Sequence, residues 1–211
     1  MFDVILNECG KVAEEQLEKQ KELFPMFAGT IPLNDGTQVV VRPVRTGDAF
    51  PLLDMHHRLS PNSVRFRYLF RSYTPTLADM QRVCQVREEE GTAFVAATSF
   101  PEEIIVGLAH YVIDDKHLPV TAEFAMLVED RFQGQGLGRR LFQRLSQQAI
   151  AQGIHALNAY VHLDNQRMMH LIRRSGFAHE EKIAYGTREV RILLDPVRQH
   201  DLRPVHSFSA Q

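Results

Sequence analysis

Hydrophobic positions near the start of the chain repeat with the period of a helix. The apolar residues there recur at steps of three and four residues: Ile5, Cys9, Val12, Ala13 and Leu17. This spacing predicts an amphipathic helix that packs against its own domain or against a second subunit. Pro25 ends the pattern, and a connector rich in Gly, Pro and Asn follows. We therefore separate residues 1–36 from a domain of residues 37–195 and an aperiodic tail of residues 196–211.

From residue 37 onward, segments with the period of strands alternate with helical patterns. Strands are predicted at 37–44, 92–98, 104–113, 120–128 and 156–162, with two closing strands near 183 and at 188–194. Helices are predicted at 48–58, 61–70, 76–87, 137–152 and 165–175. The segments 92–98 and 104–113 are apolar on both faces, which is typical of central strands. This order predicts an α/β (α+β) domain whose mixed central sheet has six to seven strands flanked by helices.

Composition and charge narrow the classes of function. The 24 basic residues nearly cancel the 26 acidic ones and leave a formal net charge of −2. No general attraction to nucleic acid or to an anionic membrane is therefore expected. No segment approaches the roughly twenty apolar residues of a membrane span. Cys9 and Cys84 match no C-x-x-C spacing, so we expect free thiols and a cytoplasmic protein.

The ten histidines do not predict a metal site. His56 and His57 are adjacent, and neighbouring side chains on a helix point about 100° apart, which makes a shared ion difficult. No H-E-x-x-H or comparable ligand spacing occurs in the chain. We therefore expect no metal.

A glycine-rich turn joins the strand at 120–128 to the helix at 137–152. Gly134, Gly136 and Gly138 alternate there. Glycines allow the backbone to approach a ligand, and the N–H groups at the start of a helix suit a phosphate. The spacing is not that of a G-x-G-x-x-G dinucleotide site, and the Lys of a P-loop is missing. A turn without a ligand is the structural alternative.

The segment Gln133-x-x-Gly136-x-Gly138 resembles the Q/R-x-x-G-x-G/A signature of the GNAT superfamily of N-acetyltransferases. The Arg-Arg-Ser-Gly-Phe sequence at 173–177 is similar to the ending of the superfamily's following helix. The resemblance covers residues 37–194. It implies a GNAT fold, in which acetyl-coenzyme A lies in a cleft between two parallel strands that splay apart.

Two further segments resemble one branch of this superfamily, the acetyltransferase domain of bacterial protein-lysine acetyltransferases. They are Ala-Glu-Phe-Ala at 122–125 and Arg-Leu-Ser-Pro at 58–61, which is followed by Arg65, Phe66 and Arg67. We expect Arg65, Arg67 and Arg71 on a solvated helix face, in preference to a role in attracting an acidic substrate or a coenzyme phosphate.

The resemblance also implies which residues bind the coenzyme. Backbone contacts to the pantetheine arm are expected from Met126, Leu127 and Val128. Contacts to the pyrophosphate are expected from Gln133, Gly134, Gln135, Gly136, Leu137, Gly138 and Arg139. Asn165, after the neighbouring strand, is expected to contact the pantetheine arm. A backbone N–H near Val128 would meet negative charge on the carbonyl oxygen.

Acetyl transfer needs an unprotonated amine, and a free lysine has a pKa near ~10.4, so a base is required. Glu123 is the predicted base, because it lies within an apolar strand on the side of Ala125 and Leu127. A carboxylate desolvated there would have a raised pKa. A structural Glu paired with an arginine is the alternative. Ile172 stands where many superfamily members carry a tyrosine as general acid, so the acid is unassigned.

The sequence therefore predicts an N-acetyltransferase that moves acetyl from acetyl-coenzyme A to a primary amine by direct attack in a ternary complex. The expected acceptor is a protein lysine or a small-molecule amine, with protein lysine favoured. A non-catalytic acyl-coenzyme A sensor is the alternative from another class of function. A homodimer is a further expectation.

Overall fold

The computed structural model describes residues 30–69, 73–98, 102–114 and 118–194. The predicted N-terminal helix and the C-terminal tail lie outside these residues, so the domain boundaries stay predictions. Within the described ranges, eight strands form one mixed sheet that is flanked by five helices. The predicted fold class is confirmed. The strand that sequence analysis missed is two residues long and lies in the predicted connector.

The elements follow the predicted order along the chain. The strands are β1 (Ile31–Pro32), β2 (Gln38–Pro43), β3 (Gly91–Thr98), β4 (Ile105–Asp114), β5 (Thr121–Val128), β6 (Ala156–His162), β7 (His179–Ala184) and β8 (Thr187–Leu193). The helices are α1 (Ala49–His57), α2 (Pro61–Tyr68), α3 (Leu77–Cys84), α4 (Leu137–Ala151) and α5 (Gln166–Arg173). The order in the sheet is β1-β2-β3-β4-β5-β6-β8-β7. None of the helices in the described ranges has the length and hydropathy of a membrane span.

The strands β5 and β6 are parallel, and they pair only near their beginnings. Their register covers three residue pairs and ends where Glu123 lies opposite Asn158. Beyond that pair, β5 continues to Val128 and β6 to His162. Strands that remain bonded stay about 4.8 Å apart, so the loss of pairing means that the two strands separate. The predicted gap between splayed parallel strands is present, with its vertex at Glu123.

The period of two along β5 assigns alternate side chains to two sides of the sheet. Phe124 faces α4, where the rings of Phe124 and Phe142 have centroids 5.6 Å apart. Leu127 faces the other side and packs with a core that includes the fully buried Leu52 of α1. Glu123 shares the side of Leu127. On that side the sheet stays open over β6 and β7, because Tyr160 is 51% exposed.

A buried ion pair fixes the corner between α1 and α2 to the end of β5. Arg58 Nε donates to Glu129 Oε2 at 2.9 Å, and its Nη2 donates to the Ile105 carbonyl at 2.8 Å. The Glu129 side chain is only 4% exposed and also accepts a hydrogen bond from Arg131 at 2.6 Å. The Arg-Leu-Ser-Pro sequence therefore begins with the residue that anchors this corner.

Candidate active site

The gap between β5 and β6 exposes backbone groups of β5. The N–H of Glu129 donates to the carbonyl of Val106 at 2.9 Å, so odd-numbered residues of β5 direct their backbone groups at β4. Even-numbered residues direct theirs away from β4. Past the last β6 pair these are Met126 and the N–H of Val128, whose carbonyl already accepts from Gln133. The register therefore supports the predicted backbone contacts of Met126 and Val128 with a pantetheine arm.

Leu127 does not fit the predicted backbone contact. It pairs with Leu108 of β4, so its N–H and C=O belong to the antiparallel ladder, and its side chain lies on the side of the α1 core. Phe124 has the orientation that was expected of Leu127, and sequence reasoning missed it. Which alternate residues of a strand bond to its neighbour depends on the register between the two strands. A sequence motif does not contain that register.

The glycine turn leaves open space in front of α4. Gly134 and Gly136 have φ angles of +76° and +86°, and a Cβ at either position would meet no atom within 4 Å. The first intrahelical bond runs from the Arg140 N–H to the Gly136 carbonyl. The N–H groups of residues 137–139 precede it and have no partner within the helix. The arrangement fits a pyrophosphate, because these donors lie at the positive end of the helix dipole.

Gly138 lies where the turn meets the gap. A Cβ there would be 3.4 Å from Leu171 Cδ1 and 3.9 Å from Met126 Cε, so it would touch both α5 and β5. These are ordinary van der Waals distances, so Gly138 marks where the turn packs against both elements. The residues present therefore fit a coenzyme that carries a pyrophosphate at one end and amides along its arm.

Gln133 is the predicted ligand residue whose hydrogen bonds are already used. Its Nε2 donates to Ser63 Oγ at 3.1 Å and to the Val128 carbonyl at 2.8 Å. Its Oε1 accepts from Arg167, and its backbone N–H donates to Asp130 at 3.2 Å. Both amide hydrogens are committed. The predicted pyrophosphate contact of Gln133 is therefore not supported, and the side chain instead holds the turn in place.

The remaining predicted ligand residues differ in which of their hydrogen-bonding groups are available to a ligand. Gln135 Nε2 donates to the Arg131 carbonyl at 3.0 Å, which turns that side chain inward. Arg139 is exposed at the start of α4. Asn165 Oδ1 caps α5 by accepting from the Met168 N–H at 3.1 Å. Its amide NH₂ group has no hydrogen-bond partner in the described ranges, so it can donate to a ligand.

Gly136→Ala tests the phosphate turn. We expect the free energy of unfolding to fall by about 1–2 kcal/mol because a Cβ disfavours positive φ, and we expect the affinity for acetyl-coenzyme A to fall as well. Gly153→Ala is the matched control, since Gly153 has φ +73°, equally open surroundings and a position after the other end of α4. Chemical denaturation and titration calorimetry measure the two effects. Equal losses of coenzyme affinity in both variants would contradict the assignment.

Glu123 lies at the vertex of the gap and is exposed. The burial on which its predicted desolvation rested is absent, because the sheet stays open beside it over β6, β8 and β7. No direct ion pair joins its carboxylate to the described residues, although the charge of Arg67 lies near enough to attract it. Glu123 instead borders a cavity of about 540 Å³ on the open side of the sheet.

The helix α2 crosses the gap on this side and contacts both strands that form it. At its beginning, Ser63 Oγ donates to Asp130 Oδ1 at 2.8 Å, just after the end of β5. Farther along, the Phe66 ring lies 5.6 Å from the His162 ring at the end of β6. The helix therefore bridges the two splayed ends, and the vertex with its cavity lies beside it.

Other candidate groups contribute less. Ile172, which stands at the position of the usual tyrosine, has no hydroxyl and is fully buried in the core. Tyr160 lines the cavity that Glu123 borders. Burial raises the pKa of Cys84 to about 11, which keeps that thiol protonated. No group of three potential metal ligands occurs in the part of the chain that the structure describes.

Comparison with known proteins agrees with this geometry. A relative in Pseudomonas aeruginosa, an acetyltransferase, is 28% identical over 148 residues, which span 69% of this chain and 77% of the relative. The GNAT domain of the S. lividans protein acetyltransferase PAT superposes with a TM-score of 0.69 at 21% identity and covers 80% of this chain and 97% of its own. A spermidine N-acetyltransferase from Vibrio cholerae, solved with CoA and spermine, gives 0.56 at 19% identity with coverages of 74% and 95%.

The sequence profile of the acetyltransferase (GNAT) family matches residues 55–177, more than half of the chain. At identities near 20% the structural likenesses show the fold alone, whereas the profile shows the family. The predicted recognition and the predicted enzyme class are both confirmed. This chain belongs to the GNAT family of acetyltransferases, enzymes whose acetyl donor is acetyl-coenzyme A.

Proposed function

We propose that this chain acetylates a primary amine by direct attack in a ternary complex, with Glu123 as the general base. One observation carries the proposal. Glu123 marks the point where β5 and β6 separate, and it also borders the cavity on the open side of the sheet. A donor held along the gap and an amine entering from the cavity would therefore meet beside one carboxylate.

Each group then has a distinct task. Acetyl-coenzyme A supplies an activated acyl group as a thioester. The even-numbered backbone groups of β5 and the N–H groups of residues 137–139 hold and orient it. The Val128 N–H, which points away from β4, would donate to the carbonyl oxygen of the thioester. Glu123 accepts the proton of the attacking amine, directly or through water.

The charge of the cavity supports a cationic acceptor. Its acidic side chains include Asp114, Glu123, Glu180 and Glu189, and its basic side chains are Lys182 and Arg191. Excess negative charge attracts a protonated amine. The neighbours in S. lividans and Vibrio cholerae are a protein acetyltransferase domain and a spermidine acetyltransferase. Both protein lysine and small amines therefore belong in a test. The cytoplasmic location and the homodimer stay predictions.

The experiment measures thiol release from acetyl-coenzyme A with purified protein and a panel of amines: polyamines, amino acids, lysine peptides and proteins. We expect one acetylated product per thiol released, identified by mass spectrometry. Titration calorimetry measures coenzyme binding in parallel. Binding of the coenzyme without turnover of any amine would favour the acyl-coenzyme A sensor, and absence of binding would contradict both functions.

A further inference from the structure

The helix α2 brings one arginine against the sheet next to the vertex. Arg67 Nη2 lies 3.0 Å from Nε2 of His110, and its guanidinium carbon lies 5.0 Å from the centre of the Tyr68 ring. In the β4–β5 register His110 is opposite Ala125, two residues along β5 from Glu123. The expectation that Arg67 belongs to a solvated helix face is therefore wrong.

The charge of Arg67 is not neutralised by a contact within the described chain. Desolvation lowers its pKa from the ordinary value, although the carboxylate of Glu123 attracts it. Its hydrogen-bond partner is uncharged, because burial lowers the pKa of His110 to about 3 and leaves the ring neutral. No carboxylate of the described residues forms an ion pair with this guanidinium.

Other cations on this side of the structure have acidic neighbours. Arg58 pairs with Glu129, while the cavity residues Arg191 and Lys182 face Glu180 and Glu189 across strands β7 and β8. A desolvated charge without a directly bonded counter-ion is costly, and a guanidinium carries five donors in a planar fork that matches a carboxylate. Arg67 has one of these donors bound to His110. Its other nitrogens are not among the fully buried, unpartnered atoms of the described residues, so a ligand can reach them.

We propose that Arg67 binds a carboxylate of the acceptor, so that the acceptor is a small aminocarboxylic acid whose amine is presented to Glu123. The proposal rests on the proposed function and narrows its acceptor. The Arg67 guanidinium and the Glu123 carboxylate together favour a molecule that carries both a carboxylate and an ammonium group. Arg67 takes the carboxylate through charge-assisted hydrogen bonds, and the acidic cavity takes the ammonium group before its proton is lost.

The test compares acids with their own carboxamides as acceptors. β-Alanine, 4-aminobutyrate and lysine are each paired with the corresponding amide, and kcat/KM is measured from thiol release. With the unaltered protein we expect at least one acid to be preferred over its amide by about ten- to one-hundredfold, the size of a hydrogen bond to a charged group. Arg67→Met should abolish that preference, because it lowers the rate with the acids far more than the rate with the amides.

Two further variants separate binding from folding. Arg67→Lys keeps a charge and should retain part of the preference. Arg65→Met removes a neighbouring arginine of α2, which pairs with Asp164 at 3.0 Å, and should retain all of it. Titration of each variant with coenzyme A verifies that its donor site is intact.

Three results would overturn the inference. They are equal rates with acids and amides in the unaltered protein, an Arg67→Met variant that slows both series by the same factor, and acetylation confined to protein lysines. The last result would leave the proposed function standing. Failure of every amine, protein lysines included, would instead refute the proposed function itself.

Discussion

Replacing Glu123 with Gln is expected to lower kcat by about two to four orders of magnitude, the usual contribution of a general base. Gln has the same shape as Glu but does not accept the proton of an amine. The side chain is exposed and lies outside the backbone groups that hold the donor, so stability and affinity for acetyl-coenzyme A should stay unchanged. Thiol release at saturating acceptor measures kcat, and titration calorimetry measures the affinity.

Glu189→Gln is the matched control for this change. Glu189 borders the same cavity on β8, so its replacement removes the same charge from the cavity without touching the vertex. We expect it to change KM for a cationic acceptor more than kcat. Equal kcat values for the Glu123 and Glu189 variants would show that the cavity acts through its net charge, and Glu123 would then not be the base.

Glu129→Gln is expected to lower the free energy of unfolding by about 1–3 kcal/mol, because the buried side chain loses the charge that strengthens its hydrogen bonds with Arg58 and Arg131. Asp54→Asn provides the control, since Asp54 contacts the same arginine but is 70% exposed. Exposed pairs contribute about 0–1 kcal/mol. Urea unfolding monitored by circular dichroism measures both changes. Similar losses in the two variants would contradict the special role of Glu129.

The order of helices and strands was predictable because each element depends on residues that are close together in the sequence. The helix α4 follows Gly136 and carries an apolar stripe, and the strands β3 and β4 have apolar residues on both faces; the structure places both strands inside the sheet. Local patterns of this kind record the period of an element and the turn that ends it. The position of Glu123 on β5 was therefore correct, since it required only the period of two.

The surroundings of Glu123 were not predictable in the same way. Whether a strand residue is covered depends on the elements that lie over it, and the side of the sheet beyond β5 stays open. Gln133 contacts Ser63, which lies 70 positions away in the sequence. Arg67 contacts His110, which lies 43 positions away. Such contacts arise from packing of α2 on the sheet. The motif predicts that Gln133 contacts the ligand, because a motif gives the position of a residue in the sequence but not its hydrogen-bond partners in the fold.

The three hydrogen bonds of the Gln133 side chain have a consequence for binding equilibria. They tie α2, the end of β5 and the start of α5 to the turn in front of α4. A coenzyme bound at that turn would therefore also restrict the motion of α2, the helix beside the acceptor. Donor and acceptor should thus strengthen one another's binding, and thermodynamic reciprocity requires the same factor whichever arrives first.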